Sequence, residues 1–365
     1  MNFLFLFATD WNHEIASFER GEVPAHRLFG LIDVRRQGHA TRVCATPRIA
    51  RDFLRRPMVW RVYQALCALF QQGRHDVIFA VNEASALPVL VLKKLGLLRT
   101  PVIVFCTGLM HARNRAGRRK AMWRWLLPAA EAVVSQTSME LASTWREFGL
   151  RQDRQFLIHM LVDTHFFRPS GQREKGDFCL AAGTNEGRDY VTLLRAFPKD
   201  QRLVIVTDAG NAAIISRHVE ATARVEVRQA VPMLELKALY EQARVVINPL
   251  AEIAYCSGHT TLLENMALGH PVIISAVSGM QDYVEDGVTA LAVRPGDVDD
   301  LREKITRYLE APERFAAVGQ RAAVWVERFS TEAFAGHLIR LAEKLVAPSP
   351  LNAASAAPQP STLAR

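Results

Sequence analysis

The residues best able to do chemistry lie in one run, Cys256-Ser257-Gly258-His259-Thr260-Thr261-Leu262-Leu263-Glu264-Asn265-Met266-Ala267-Leu268-Gly269-His270-Pro271-Val272-Ile273-Ile274. Small residues, Ser257 through Thr261, make a turn that opens a helix; Gly269 stops the helix and a buried strand follows. A turn of this kind aims backbone N–H groups and hydroxyls off a helix N-terminus, which suits a diphosphate. Glu264 lies about two turns into that helix, where its carboxylate can accept hydrogen bonds from ribose hydroxyls while the phosphates stay at the N-terminus. The plainer alternative is a capped helix with Glu264 on its surface. A second acidic group, Asp297, Asp299 and Asp300, has D-x-D spacing. Pro295-Gly296-Asp297 ahead of Leu301 more simply caps a helix, so no metal is expected there.

Those residues need a frame, and the pattern of the chain supplies one. Short apolar runs alternate with helical stretches, as in parallel sheets built from βαβ units. In the first half the strands fall at 2–8, 40–44, 76–81, 101–105, 132–135 and 155–159. In the second they fall at 178–182, 202–207, 225–228, 245–248, 271–275 and 290–293. A helix is expected over 26–37, with Leu28, Leu31, Ile32 and Val34 buried and Gly38 as its stop. Polar and helix-breaking residues from Phe167 to Gly176 mark the junction. The chain thus divides into a first domain (1–168), a second (177–329), a C-terminal helix (330–346) able to pack back on the first domain, and a Pro-, Ala- and Ser-rich tail (347–365) expected to be disordered. Ligands of open parallel sheets sit beyond the carboxyl ends of the strands, so two such sheets facing each other enclose a deep cleft.

A length of 365 residues fits two ordinary domains, and 49% hydrophobic with 22% charged residues fits a globular chain rather than a disordered or membrane-spanning one. The opening Met1-Asn2-Phe3-Leu4-Phe5-Leu6-Phe7-Ala8 lacks a basic leader region and reads as a buried first strand. Five scattered cysteines without a CxxC pair argue against a disulfide framework or zinc site and point to a reducing compartment, the cytoplasm. Charge is uneven: residues 1–165 hold 23 Lys and Arg against 13 Asp and Glu, the remainder 22 against 24. Two clusters stand out, Arg48, Arg51, Arg55, Arg56 and Arg61 around Met58 and Trp60, and Arg113 to Arg124 beside Met122, Trp123 and Trp125. They read either as a surface for an anionic membrane or as solvated helix faces whose tryptophans point into the core. No nucleic-acid-binding signature accompanies them.

The block around Glu264 closely resembles the donor-site helix of retaining GT-B glycosyltransferases of the large group-1 type (family 4), whose pattern is E-x7-E followed by A-M-A-x-G-x-P-V-I. Glu264 matches the second glutamate; the first is replaced by Cys256. Similar segments run along most of the chain: Ser278 to Leu291 with Pro295-Gly296-Asp297, Glu241 to Pro249, and Leu161-Val162-Asp163-Thr164-His165-Phe166-Phe167-Arg168-Pro169. Ala182-Gly183-Thr184-Asn185-Glu186-Gly187-Arg188 resembles the family's G-R-x-x-x-x-K-G, shortened by one residue, with Thr184 in the arginine's place and Arg188 in the lysine's.

The resemblance implies an α/β fold of GT-B type, two doubly wound, Rossmann-like parallel-sheet domains facing across a cleft. It also implies a donor site of Gly183, Asn185, Gly258, His259, Thr260, Thr261, Leu263 and Glu264. Arg188 would clamp the leaving diphosphate, with no metal or other cofactor. On the first domain it points to the loops after strands one and four, where Asp10, His13, Glu14, Thr107 and His111 are the candidates for acceptor contact and catalysis. The implied activity is retaining hexose transfer from a UDP- or GDP-sugar to a saccharide or lipid-linked saccharide in cell-surface polysaccharide assembly. Two other readings are a sugar-nucleotide epimerase of the same fold and a catalytically silent module that binds a nucleotide or a partner.

Overall fold

The computed structural model describes residues 1–45, 56–169, 175–184, 186–220 and 223–347. Arg48, Arg51, Arg55, the candidate Asn185, half of the junction and nearly all of the tail lie outside the described residues.

Each expected strand forms. β1 (Asn2–Leu6), β2 (Ala40–Val43), β3 (Val77–Ala80), β4 (Val102–Phe105), β5 (Ala132–Ser135) and β6 (Gln155–Leu157) make a parallel sheet in the order β2-β1-β3-β4-β5-β6. β7 (Phe178–Ala182), β8 (Arg202–Val206), β9 (Arg224–Arg228), β10 (Val246–Asn248), β11 (Val272–Ser275) and β12 (Leu291–Val293) make a second, in the order β12-β11-β10-β7-β8-β9. The inner strands β3, β4, β5, β7, β10 and β11 are buried along their whole length, as strands covered on both faces must be. The two sheets are therefore α/β units of one kind repeated.

Helices cover both faces. On the first domain α1 (Asn12–Glu19) and α2 (Leu31–Arg36) precede β2, while α3 (Pro57–Phe70), α4 (Glu83–Lys94), α5 (Gly117–Leu126) and α6 (Ser138–Phe148) follow in turn. On the second come α7 (Tyr190–Ala196), α8 (Ala209–His218), α9 (Met233–Gln242), α10 (His259–Ala267), α11 (Val298–Glu310) and α12 (Ala316–Trp325). The last helix, α13 (Thr331–Val346), returns to the first domain, where Phe334, Leu338 and Leu341 join Phe3, Phe79 and Phe105 in one core. The chain crosses between domains twice at one place: Val162 accepts a hydrogen bond from Thr331 N and donates its own N–H to Phe329 O. Side chains strengthen the join, for Tyr283 takes a hydrogen bond from Met160 N and gives one to Gln136 O.

One expected element is broken. The segment 26–37 is a 3₁₀ turn, Ala25–Leu28, followed by two left-handed residues, Phe29 and Gly30, and then the short α2. Gly30 is required there: its φ is +79°, and a Cβ would come within 2.8 Å of the Phe334 ring. The break turns His26 and Arg27 away from the helix line and toward the second domain.

Candidate functional site

The carboxyl ends of the two sheets face a cavity of about 710 Å³ between the domains. In the second sheet it opens where strand order reverses, between β7 and β10, the place such folds keep for ligands. The loops after these two strands are joined by backbone hydrogen bonds, Asp189 N to Pro249 O and Ala251 N to Gly187 O. That pairing fixes Arg188.

Arg188 is half-buried, and its partners are neutral. Its guanidinium donates through Nη1 to Asn248 Oδ1 and through Nη2 to Thr261 Oγ1 at 3.2 Å, while the buried Nε has no partner among the described residues. Burial lowers its pKa from the usual arginine value, with Tyr190, Tyr240 and Glu264 acting the other way. An arginine stays protonated in proteins, so the cavity floor carries a cation with an unused N–H. An unsatisfied buried donor costs about 1–3 kcal/mol, which a bound anion would recover. Gly183 lies directly beneath the guanidinium.

The turn opening α10 adjoins this cation. Gly258 caps the helix at φ +85°; a Cβ there would meet Leu250 Cδ2 at 2.6 Å, and its carbonyl accepts from Asn248 Nδ2 at 2.8 Å. No side chain caps α10, which leaves its first N–H groups for a ligand. Thr260 and Thr261 line the cavity, and Thr261 Oγ1 donates to Ala182 O. His259 lines it too, half-buried, its Nδ1 2.9 Å from Cys256 Sγ; desolvation lowers its pKa to about 4, so the ring is neutral. Leu263 is a correction. Its side chain is fully buried in the core beneath β10 and β11 and does not reach the cavity, because it faces inward on the helix.

Glu264 lines the cavity but is only 3% exposed. Tyr240 donates to its Oε2 at 3.1 Å, and His26 Nε2, from the first domain, stands 3.5 Å from its Oε1. His26 Nδ1 accepts the Asp163 N–H at 3.2 Å, which assigns the ring hydrogen to Nε2, the nitrogen on the Glu264 side. Burial raises the Glu264 carboxyl to about 8, against the opposing effects of the Tyr240 hydrogen bond, Arg27 and Arg188, and lowers His26 to about 4.

The first-domain candidates divide. Thr107 and His111 line the cavity. His111 Nε2 pairs with Glu186 across the cleft at 3.0 Å, and its ring stacks on Tyr255, whose hydroxyl donates to the same carboxylate. Asp10, His13 and Glu14 are not among the cavity's walls. Asp10 accepts from Asn12 at the start of α1, His13 is exposed, and Glu14 holds Arg27 at 2.7 Å. They are displaced because Trp11 turns inward to stack on Phe7, carrying the loop after β1 off the cleft. Arg27 does line the cavity, so Glu14 bears on it at one remove.

Several site residues escaped the sequence pattern. His26, Arg27, Tyr240 and Tyr255 are brought in by tertiary packing, and Asn248, inside the Glu241 to Pro249 segment, reaches the site at the end of β10. Asp163 holds His26 in place; its Oδ2 accepts from Ala25 N at 2.7 Å and its Oδ1 caps His165 and Phe166. Asp297, by contrast, accepts from Asp299 N and Asp300 N as the cap of α11.

Comparison with known proteins agrees with this architecture. The family model described as glycosyl transferases group 1 matches residues 186–311, and that of glycosyltransferase family 4 matches 10–166. The chain is 25% identical over 262 residues to an MMP alpha-(1->4)-mannosyltransferase of Mycolicibacterium hassiacum, covering 68% of this chain and 60% of that enzyme's length. It is 25% identical over 309 residues to D-inositol 3-phosphate glycosyltransferase 1 of Catenulispora acidiphila, covering 75% and 71%. Among solved structures, Anabaena Alr3699/HepE in complex with UDP and glucose superposes with a TM-score of 0.69 at 15% identity, over 94% of this chain and 100% of that one. Sucrose-phosphate synthase from Thermosynechococcus elongatus gives 0.71 at 18%, over 95% and 99%. With one family model covering most of each domain, the chain belongs to the GT-B glycosyltransferases of group 1.

Proposed function

We propose that this protein moves a hexose from a UDP- or GDP-sugar, with retention of anomeric configuration, to a saccharide or lipid-linked saccharide acceptor of cell-surface polysaccharide assembly. One observation carries the reading: a half-buried arginine with neutral partners and a buried, spare N–H stands beside an uncapped helix N-terminus, and Glu264 lies farther along that helix in the same cavity. The diphosphate would rest on Gly258 to Thr261 and Arg188, and the ribose hydroxyls would replace Tyr240 or His26 on Glu264. Glycosidic bond cleavage places charge on the leaving diphosphate, and a preorganised guanidinium stabilises that charge without reorganisation. The acceptor hydroxyl would enter from the first domain past Thr107 and His111.

Solved complexes of the same fold support a nucleotide-sugar donor, since Anabaena HepE has been solved with UDP-glucose. Retention rests on the family resemblance alone. Cys256, in place of an acid, leaves the sugar end of the cavity without a carboxylate at that position, and its N–H is taken by Glu140 Oε1 at 2.9 Å. A panel of UDP- and GDP-sugars, read for nucleotide release with and without acceptors, tests the proposal. Acceptor-dependent release supports it; an epimerised product without release replaces transfer by epimerisation, and binding without turnover replaces it by a silent module.

A further inference from the structure

The first domain carries a surface that the cleft does not use. Between residues 56 and 130 there are twelve Lys and Arg against two acids, Asp76 and Glu83. Neither acid offsets that charge at the surface: Asp76 accepts from Asn2 N, and Glu83 is buried against the Thr107 and Gly108 amides. Of the thirteen large apolar side chains left exposed among the described residues, seven lie in this same stretch. Basic charge and exposed apolar area therefore coincide.

They form one patch. Met58, Val62, Leu66 and Phe70 recur every fourth residue along the outer side of α3, while Trp60, Gln64, Ala65 and Ala68 face the core. The stripe is about 18 Å long at the helical rise per residue. Its start is at the carboxyl end of the first sheet, where Arg61 donates to Ala8 O beyond β1. Its end, Phe70 at 83% exposure, is tied to the end of α4 through Gln72, which bonds Leu97 O and Arg99 N. That places Phe70 beside Leu95 and Leu97. Lys94 then lies over the Trp125 ring of α5 at 5.8 Å, which carries the patch on to Trp125, 51% exposed. Around it Arg74, Arg99, Arg118, Arg119 and Arg124 are exposed and form no ion pair among the described residues.

We propose that this face, the outer stripe of α3 with the ends of α4 and α5, docks the protein on an anionic lipid bilayer. A protein partner of ordinary composition would leave the unpaired arginines without counter-charges, whereas anionic headgroups supply them while Phe70, Leu66 and Trp125 enter the acyl boundary. Because the stripe begins at the carboxyl end of the first sheet, the end that faces the cavity, docking brings that end of the domain toward the headgroups. The inference is independent of the transfer reading, since none of these residues lines the cavity.

Flotation of the full-length protein with phosphatidylcholine vesicles, alone or doped with phosphatidylglycerol, tests it. The protein should float with the doped vesicles and be released by high salt, which screens the headgroup charge. The variant F70D/L66D, changed at exposed positions, should lose at least about tenfold in vesicle partition at an unchanged melting temperature, the scale set by the apolar area removed. R118E/R119E should lose partition to doped vesicles with no change toward neutral ones. Absence of flotation, equal flotation with neutral vesicles, or a double variant that floats like the parent would overturn the proposal. So would a dimer in solution that F70D/L66D converts to monomer, which would assign the face to a second copy. Nucleotide-sugar turnover of F70D/L66D, read in parallel, separates loss of docking from failure of the proposed activity.

Discussion

Glu264 and Glu140 invite comparison because each is a buried carboxylate that meets a group of the opposite domain. Burial raises both, Glu264 to about 8 and Glu140 to about 7. Their donors differ. Glu140 accepts backbone N–H groups, Gln136 at 3.2 Å and Cys256 at 2.9 Å, and lies outside the cavity walls. Glu264 accepts from a side chain, Tyr240, with the His26 ring 3.5 Å from its other oxygen, and lines the cavity. Backbone donors cannot leave without unfolding a turn, whereas side chains can rotate aside for a ligand's hydroxyls. Burial and a raised pKa are thus common to both, and the mobility of the donors separates a structural clasp from a binding group.

The largest effect should come from the cation that serves Glu264's cavity and not Glu140's clasp. Arg188→Ala removes the guanidinium beside the turn that opens α10 and should lower kcat about 10³-fold, the scale of losing a preorganised donor to a developing anion. Steady-state kinetics on the active donor from the panel measure this. A variant with undiminished kcat would remove the arginine from the mechanism. Arg188→Lys should recover only part of the rate, since an ammonium cannot keep both Asn248 and Thr261 in the same fork.

Next in size is the contrast between the carboxylates themselves. Glu264→Ala should cost about 10² in kcat/KM, as a charged hydrogen-bonding group facing two ribose hydroxyls is lost. Glu140→Gln should leave kcat/KM within about threefold and lower the melting temperature by a few degrees, because one interdomain hydrogen bond weakens. Reversed outcomes would make Glu140 the ligand group and break the distinction.

The raised pKa of Glu264 sharpens the same contrast through pH. Ribose hydroxyls donate to a carboxylate but compete poorly for a protonated acid, so donor affinity should rise as pH increases toward about 8 and then level. Below that value the slope approaches tenfold per pH unit, about one proton released on binding. Calorimetric titration of a UDP-sugar between pH 6 and 9 measures it, and Glu264→Gln should flatten the curve. The stability effect has the opposite sense. A carboxyl raised in the folded state favours folding below its unfolded pKa, and that contribution is lost as pH rises through about 8. Glu264→Gln should therefore melt higher than the parent at pH 9 and alike at pH 5. A variant that loses affinity while gaining alkaline stability is the signature of a site held ionisable for a ligand.

The second domain was more legible in the sequence than the first, and the reason is physical. Its turn, cap and helix are contiguous, so Gly258, Thr260, Thr261 and Glu264 reach one cavity through local geometry, and all twelve strands follow from apolar runs. Leu263 shows the limit, since a residue inside the motif can face the core. The cleft wall of the first domain is assembled from distant pieces. His26 arrives through a left-handed break at Phe29 and Gly30, which apolar periodicity over 26–37 conceals, and Asp10, His13 and Glu14 are carried away by the burial of Trp11. Proximity in the chain predicted the donor side; proximity across the chain decided the other.

The smallest effect tests whether His26 belongs with Glu264's mobile donors. The Asp163 N–H occupies Nδ1, so the ring hydrogen is on Nε2, 3.5 Å from Glu264 Oε1, and the ring's dipole there favours the ionised carboxylate. His26→Ala removes that dipole and should raise the donor KM about fivefold with kcat kept, near 1 kcal/mol of lost positioning. His26→Gln retains an N–H in that region and should recover much of the affinity. The pH at which donor affinity levels should move upward in His26→Ala, since the ionised carboxylate has lost a neighbouring dipole, and a merely structural role would not move it. If KM and that pH both stay put, His26 packs against Phe167 for stability alone, and Tyr240 is left as the group that hands Glu264 to the ribose.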